Sequence, residues 1–405
     1  MASSRTSEES AGGLPLAGVR ILDLTQVQLG PCATQVLGDF GAEIVKVERL
    51  GAGDLSRSTD PFITEPGGQS AYFMALNRNK RSLAVDMGKP EGREIVLDLA
   101  RQADVLVHNF RPGVVDRLGL DYASLQAINP RLIYASGSGF GPEGPLVHKA
   151  GQDLLAQSMS GLANRNAGVD GAPQLFPTAL GDFAAGMILA QGVLMALYQR
   201  ERTGQGACLH VCLLDTLLAM QQQEATQWLL RRKPVNWITQ NLIDIFRTRD
   251  GAVTLVGVFR PNPLQIVCEA LGIEDLTARP EYKTLALQMQ NRAALWRELG
   301  AAFARYSTAE CIERLDGADI LCAPVMTLDE ALKQPQVETN EILVSFEHPV
   351  HGTVRTTGNP LHFSGVDRIS LKPAPTLGQH SEEVLRELGV APERIAALRS
   401  AAVIN

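Results

Sequence analysis

The chain predicts an α/β fold, with a large domain on a parallel sheet and a second, smaller α/β domain. Three observations carry that expectation. Apolar, β-rich runs alternate with helical patterns from Val19 to Ser138. Those runs are apolar almost throughout, the pattern of strands covered on both faces. At 405 residues the chain is also long for one compact core.

The elements follow in order. Val19–Thr25, a helix near Pro31–Phe40 and Glu43–Arg49 compose a βαβ unit, and strands at Ser82–Asp86, Asp104–Asn109 and Leu132–Ser138 extend it, with a helix over Glu91–Gln102. Two strongly apolar helical segments, Gly181–Arg200 and Asp215–Arg231, bracket a short strand at Cys208–Cys212; their uniform apolarity points to burial on several sides, a subunit interface included. Past Arg231 a polar, proline-containing link leads to a hairpin over Ile245–Leu255 with its turn at Asp250-Gly251, then to helices at Leu264–Leu271, Arg292–Arg305 and Ala309–Asp316. A further hairpin is expected around His351-Gly352, and a helix beginning at His380 or Ser381. The chain thus divides into a flexible tail (1–13), a large domain (14–231), a small α/β domain (232–330) and a C-terminal segment (331–405).

Composition narrows the function. The formal net charge of -7 lacks the basic excess of a nucleic-acid binder, so an anionic ligand must be met by local basic groups. The six cysteines are scattered, no pair has the two-residue gap of a zinc or redox motif, and they read as reduced core thiols. No histidine pair stands at i, i+4 and no His-Glu-x-x-His string occurs, so no metal site is expected. The first residues lack a signal-peptide core, and the longest apolar stretches are interrupted short of the ~20 residues of a membrane span, so the expectation is a cytoplasmic protein without membrane attachment.

The most informative stretch is Gly151–Gly161, which sets one carboxylate, Asp153, among small and uncharged residues just after a glycine-rich loop that leaves a buried strand. A strand, a loop and an acid opening a helix commonly build a site at the end of a parallel sheet. Asp153 reads either as a helix N-cap, contributing about 1 kcal/mol, or as a nucleophile. The glycines Gly139, Gly141 and Gly144 match the dinucleotide fingerprint formally, but Pro142 and Pro145 interrupt it and no acidic strand end follows at the required distance, so nicotinamide or flavin binding is set aside. No Gly-x-Ser-x-Gly elbow is present, which leaves the carboxylate as the strongest nucleophile candidate. Basic residues gather near strand ends: Arg49, the Asn77–Arg81 segment with Lys80, and Arg111 and Arg117 after Asn109 and Phe110. Strand ends of an open sheet meet at one crevice, so these groups suit a phosphorylated, nucleotide-like ligand, or else lie on solvated loops.

Seven segments in this order, Leu16–Thr25 with Gly30-Pro31, Leu37–Glu48, Asn77–Ser82, Asn109–Gly113, the Asp153 stretch, Arg202–Gly206 and Ala374–His380, resemble the class III coenzyme A transferases. That family contains formyl-CoA transferase, carnitine CoA-transferase and the α-methylacyl-CoA racemases. The resemblance implies a CoA-transferase that moves coenzyme A from an acyl-CoA to a small carboxylic acid, with Asp153 attacking the thioester and Gln28 matching the active-site glutamine. It places Val27, Arg49, Lys80, Asn109, Phe110 and Arg117 around coenzyme A, which enters as substrate with no permanently bound cofactor. It further implies a Rossmann-like large domain, an interlocked homodimer and a tail that returns to the large domain. Backbone N–H groups of Val27–Leu29 or Gly137–Gly141 would meet the tetrahedral intermediates.

The chain also departs from formyl-CoA transferase. It has Gln26 for a histidine, Ser138 for a lysine, and no glycine run in Asn241–Phe259, so an oxalate preference is not implied. A 2-methylacyl-CoA racemase needs two proton-transfer groups, yet this chain has Gln152 where racemases carry histidine, and His148 sits in the loop. A coenzyme A-binding protein without catalysis, with Asp153 only a cap, is the reading from another class.

Overall fold

The computed structural model describes residues 13–63, 70–166, 171–349, 351–364, 366 and 371–405. The tail expected over 1–13 lies, up to residue 12, outside the described residues. The chain forms two compact units, one of residues 1–221 with 341–405 and one of residues 222–340.

The first unit is built on six parallel strands: β1 (Arg20–Leu24), β2 (Glu43–Arg49), β3 (Lys80–Val85), β4 (Val105–His108), β5 (Ile133–Ser138) and β6 (Ala207–Cys212). Their order is β3-β2-β1-β4-β5-β6, the strand order of doubly wound sheets. It reverses direction between β1 and β4, and a ligand crevice forms outside the carboxyl ends of the strands at such a point. Both faces are covered, which explains the near-continuous apolar runs. On one face Leu22, Leu24, Leu83 and Val85 pack beneath α3 (Pro90–Gln102) and the C-terminal helices Ser381–Glu387 and Pro392–Ser400. On the other, Ile21, Ile44, Val107 and Ile133 pack beneath α1 (Leu29–Asp39) and α8 (Leu180–Thr203). Between these elements run α2 (Ala71–Asn77), α4 (Val114–Leu118), α5 (Tyr122–Ile128), α6 (Asp153–Met159) and α7 (Leu162–Arg165), with α9 (Leu213–Met220) after β6.

The C-terminal segment joins this sheet. Ser82 of β3 donates its N–H to His380 Nδ1 at 3.1 Å, Ser381 Oγ accepts the Ala84 N–H at 3.2 Å, and Ile404 bridges to Val85.

Two expectations are corrected. The apolar stretch at α8 is an uninterrupted helix of 24 residues, long and apolar enough by length and composition to cross a membrane. Within the unit, Ala185, Gly186, Leu189, Ala190 and Val193 are buried, and Gly186 lets α1 approach so closely that a Cβ there would sit 2.6 Å from the Leu29 carbonyl oxygen and 2.8 Å from Cys32 Cβ. The helical segment expected as continuous from Asp215 to Arg231 is broken at Gln221, whose side chain is drawn back to the carbonyls of Ser160 and Leu217. The boundary between units falls at that break, ten residues before the polar link.

The second unit has a three-stranded antiparallel sheet, β7 (Ile243–Arg247), β8 (Ala252–Val256) and β9 (Leu321–Pro324). Its core joins Phe246, Val253 and Leu255 to Leu264, Leu295, Leu299 and Phe303 from helices Pro263–Ala270 and Arg292–Phe303. The expected hairpin around Gly352 is β10 (Leu343–His348) with β11 (Gly352–Thr357).

Candidate active site

The glycine-rich loop after β5 exists to bring the chain back upon itself. A Cβ on Gly139 would lie 2.3 Å from Gly151 Cα, and one on Gly151 2.5 Å from Gly139 Cα, so the two ends of the loop touch backbone to backbone. Gly141 and Gly144 turn the loop at φ of +96° and +93°, a region open to glycine. The helix that follows starts only at Asp153, well past the glycines, in agreement with setting the dinucleotide fingerprint aside.

Asp153 is not the cap of that helix. Gln152 is, its Oε1 accepting the Leu154 N–H at 2.9 Å. Released from that role, the Asp153 side chain turns inward and is 1% exposed. Its Oδ1 accepts from Gln157 Nε2 at 2.5 Å and its Oδ2 from the Asp182 backbone N–H at 2.9 Å. Gln157 is itself fixed, its Oε1 accepting the Phe176 N–H at 2.9 Å. Each carboxylate oxygen is therefore oriented by one donor and keeps a lone pair for attack. Gly181 is needed here, since a Cβ would stand 2.9 Å from Asp153 Oδ2. Gly181 reaches Asp153 while Gly186, five residues and about 7.5 Å further along α8, reaches the first turn of α1. The helix thus ties the carboxylate to the N-terminus of α1, where Gln28 stands.

The turn before α1 rests on a buried charge network. Lys46 Nζ pairs with Asp54 at 2.9 Å and donates to the Thr25 carbonyl at 2.7 Å. Asp54 Oδ1 accepts the Val27 N–H at 3.0 Å, holding that residue at φ +66°, which is costly for a β-branched side chain. Asn109 clamps the same turn by exchanging two hydrogen bonds with the Gln26 backbone, at 2.8 and 2.7 Å. Beneath it, Lys80 Nζ binds Asp23 at 3.0 Å, Thr34 at 2.8 Å and Asn77 at 2.9 Å. Arg57 pairs with Glu48 at 2.7 Å. Burial opposes the charge on Asp23, but Lys80, Lys46 and the Thr25 and Thr34 hydroxyls hold its carboxyl well below the usual range. Burial pulls Lys80 down to about 8 despite Asp23.

The expected site residues separate accordingly. Val27 is exposed and Gln28 half-buried at the start of α1. Asn109 and Phe110 border a small cleft of about 50 Å³ that also involves Ser138, Phe140, Leu146 and Gly151, so they lie beside the loop that delivers Asp153. The Phe110 ring stacks on His108 with centroids 6.0 Å apart. Arg49 and Arg117 are exposed at the ends of β2 and in α4. Lys80 is 3% exposed with its ammonium committed to Asp23, Thr34 and Asn77, so its side chain braces the floor of the site. Of the backbone donors expected, the Val27 N–H is taken by Asp54 and that of Gly141 by Ser138 Oγ. Gln28 and Leu29, in the unpaired first turn of α1, keep theirs.

Sequence reasoning missed Gln157, Asp182 and the Asp23–Lys46–Asp54 network. A signal for the network existed: Lys46 and Glu48 alternate within a strand otherwise buried on both faces, where an unpaired charge is not tolerated. Larger hollows of about 340 and 650 Å³ occur elsewhere in this unit. The first is lined by Arg20, Glu43 and Ala103, at the opposite, N-terminal ends of the strands, and does not involve this chemistry.

The CoA-transferase family III model matches residues 16–381, nine-tenths of the chain. The chain belongs to that family. It is 37% identical over 379 residues to succinyl-CoA:glutarate CoA-transferase of Mus musculus, covering 92% of this chain and 86% of the relative. Acetyl-CoA:oxalate CoA-transferase of Acetobacter aceti is 35% identical over 386 residues, covering 94% and 97%. Among solved structures, a CAIB/BAIF family protein from Brucella suis superposes with a TM-score of 0.85 at 30% identity, covering 93% of this chain and all of that one. The family III chain described here is accordingly an enzyme of the acyl-CoA:carboxylate CoA-transferase class.

Proposed function

We propose that the enzyme moves coenzyme A from an acyl-CoA donor to a short dicarboxylic acid through covalent intermediates on Asp153. The observation that carries this reading is a carboxylate freed from helix capping, withdrawn from water and oriented by Gln157 and the Asp182 N–H. An Asp153 oxygen attacks the thioester carbon, the C–S bond breaks and the thiolate leaves, giving a mixed anhydride. Thiolate attack on the Asp153 carbonyl carbon releases the donor acid and leaves an aspartyl-CoA thioester. The acceptor carboxylate attacks that thioester, forming a second anhydride, and the returning thiolate takes the acceptor acyl group and frees Asp153. The N–H groups of Gln28 and Leu29 are the donors to the tetrahedral oxyanions, and the Gln28 side chain orients the acyl group. Val27, Asn109 and Phe110 flank the coenzyme, with Arg49 and Arg117 toward its phosphates.

The choice of a dicarboxylate rests on the relatives, which are named for glutarate and oxalate. A doubly wound, Rossmann-like binding unit is supported by the strand order and an interlocked homodimer by the exposed apolar side chains of α8, among them Phe183, Met195 and Tyr198. A racemase is disfavoured because Gln152, at the position of the racemase histidine, is committed to the cap, and His148 is exposed.

Hydroxylamine or borohydride trapping during turnover, followed by mass analysis of the Asp153 peptide, tests the intermediate. Asp153→Ala is expected to abolish exchange, and full exchange by that variant refutes the mechanism. Screening oxalate, glutarate and a monocarboxylate against formyl-, acetyl- and succinyl-CoA tests the acceptor class. Epimerisation of a 2-methylacyl-CoA without transfer would favour the racemase instead.

A further inference from the structure

The residue whose backbone holds Asp153 is itself an acid that the scheme above does not use. Asp182 stands in the first turn of α8, its backbone N–H bonded to Asp153 Oδ2 at 2.9 Å. The two acids are unequally equipped. Asp153 accepts two hydrogen bonds, whereas no donor among the described residues reaches the Asp182 side chain. Burial, with the Asp153 charge in addition, pushes the Asp182 carboxyl up to about 7. Among the described residues, the elements packed against this part of α8 offer it no cation. Asp153 faces it from α6 and the Cys32 thiol from α1; Asp215 of α9 and His210 of β6 do not act on it.

We propose that Asp182 is the proton-holding partner of Asp153, lending its proton to the departing coenzyme A thiolate and taking it back when the thiol returns. The inference rests on the covalent scheme proposed above. Attack by Asp153 forms a C–O bond, and collapse breaks the C–S bond with its electron pair going to sulfur. The Asp182 proton moves to that sulfur, giving a thiol and an Asp182 carboxylate. Asp153 is at that moment acylated and uncharged, so the new carboxylate has lost the like charge that opposed it. The donor becomes a stronger acid at the step in which a thiolate, a stronger base than a carboxylate, is produced. On return, sulfur attacks the Asp153 carbonyl carbon, the C–O bond to the acyl group breaks, the acyl group leaves as its carboxylate, and the thiol proton goes back to Asp182. One proton is thus held and reused at each half-reaction with no exchange with water.

The test is the rate of aspartyl-CoA formation from acyl-CoA without acceptor, followed by quench and mass analysis from pH 5.5 to 8.5, in the wild type, Asp182→Asn and Asp182→Glu. The wild-type rate is expected to fall as pH rises through about 7. Asp182→Asn, which is neutral but has no acidic proton, is expected to be about 10²-fold slower at pH 6 and to lack that alkaline fall. Asp182→Glu restores the fall with a lower rate. An Asp182→Asn enzyme that keeps the wild-type rate overturns the proposal, as does a wild-type rate that is flat across the range, a result that needs no variant to fold. If the wild type forms no aspartyl-CoA at any pH, the covalent scheme itself has failed; if it forms and Asp182→Asn matches it, only the role of Asp182 has.

Discussion

Asp54→Asn isolates the worth of the buried charge network under the Val27 turn. Asp54 Oδ1 accepts from the Val27 N–H at 3.0 Å and from the Ser56 N–H and hydroxyl, each at 2.8 Å, while Oδ2 faces Lys46 Nζ at 2.9 Å with neither side chain exposed. Asparagine keeps the Oδ1 acceptor but turns an amide N–H₂ toward the ammonium. The network holds three acids, Asp23, Glu48 and Asp54, and three bases, Lys46, Arg57 and Lys80, and is neutral as built. The substitution leaves it one positive charge in excess. Stranding one partner of a buried pair costs about 3–5 kcal/mol, and the Thr25 carbonyl at 2.7 Å, with the fields of Asp23 and Glu48, sets the expectation at the low end, about 3 kcal/mol. That is a large share of the 5–15 kcal/mol typical of a folded protein. Lys46→Met strands Asp54 at a similar cost. The double variant restores neutrality, so a coupling of at least about 2 kcal/mol between the two sites is expected. Urea unfolding followed by far-UV circular dichroism measures it. Fluorescence serves as the internal reference, because Trp228, Trp237 and Trp296 all lie in the second unit. A loss below about 1 kcal/mol for Asp54→Asn, or a double variant as unstable as the sum of the two singles, refutes the account.

Other outcomes follow from single positions. Burial pulls the His108 imidazole down to about 4, so the unfolded chain binds more protons than the folded one between pH 6.5 and 4. Stability is expected to fall by about 3 kcal/mol as pH drops through that window, and His108→Phe removes this part of the acid sensitivity. Gly181→Ala drives a Cβ to 2.9 Å from Asp153 Oδ2 and 3.1 Å from Leu217; kcat should fall by about 10²-fold with a small change in Tm. Gly151→Ala meets backbone 2.5 Å away, which cannot yield as a side chain can, so it should cost about 1–3 kcal/mol as well as activity.

Much of the first unit was legible because its strands obey one local rule. A strand covered on both faces must be apolar nearly throughout, and Val105–His108, buried along its whole length, lies inside the run Asp104–Asn109 that its pattern predicts. The glycine-rich loop and the acid after it were visible too, since a turn at positive φ and a helix start leave local marks. The function of that acid was open to local reasoning in two ways, as cap or nucleophile, and the difference lay outside its neighbourhood. Gln152 took the cap, and the partner that turned Asp153 inward is an N–H twenty-nine residues away.

The sequence by itself determined the alternation of strands and helices, the excess of acid that leaves an anion to local bases, and the segments that mark the family. Only tertiary structure decided which charges are buried together. Lys80 looks like a basic residue near a strand end, but the sheet register sets it among Asp23, Thr34 and Asn77, from segments 46 to 57 residues earlier and 3 residues away. The physical reason is range. Backbone propensity and apolar periodicity act over a few residues and are written in the order of the chain, whereas desolvation and charge pairing act through space and exist only once the strands have been brought side by side.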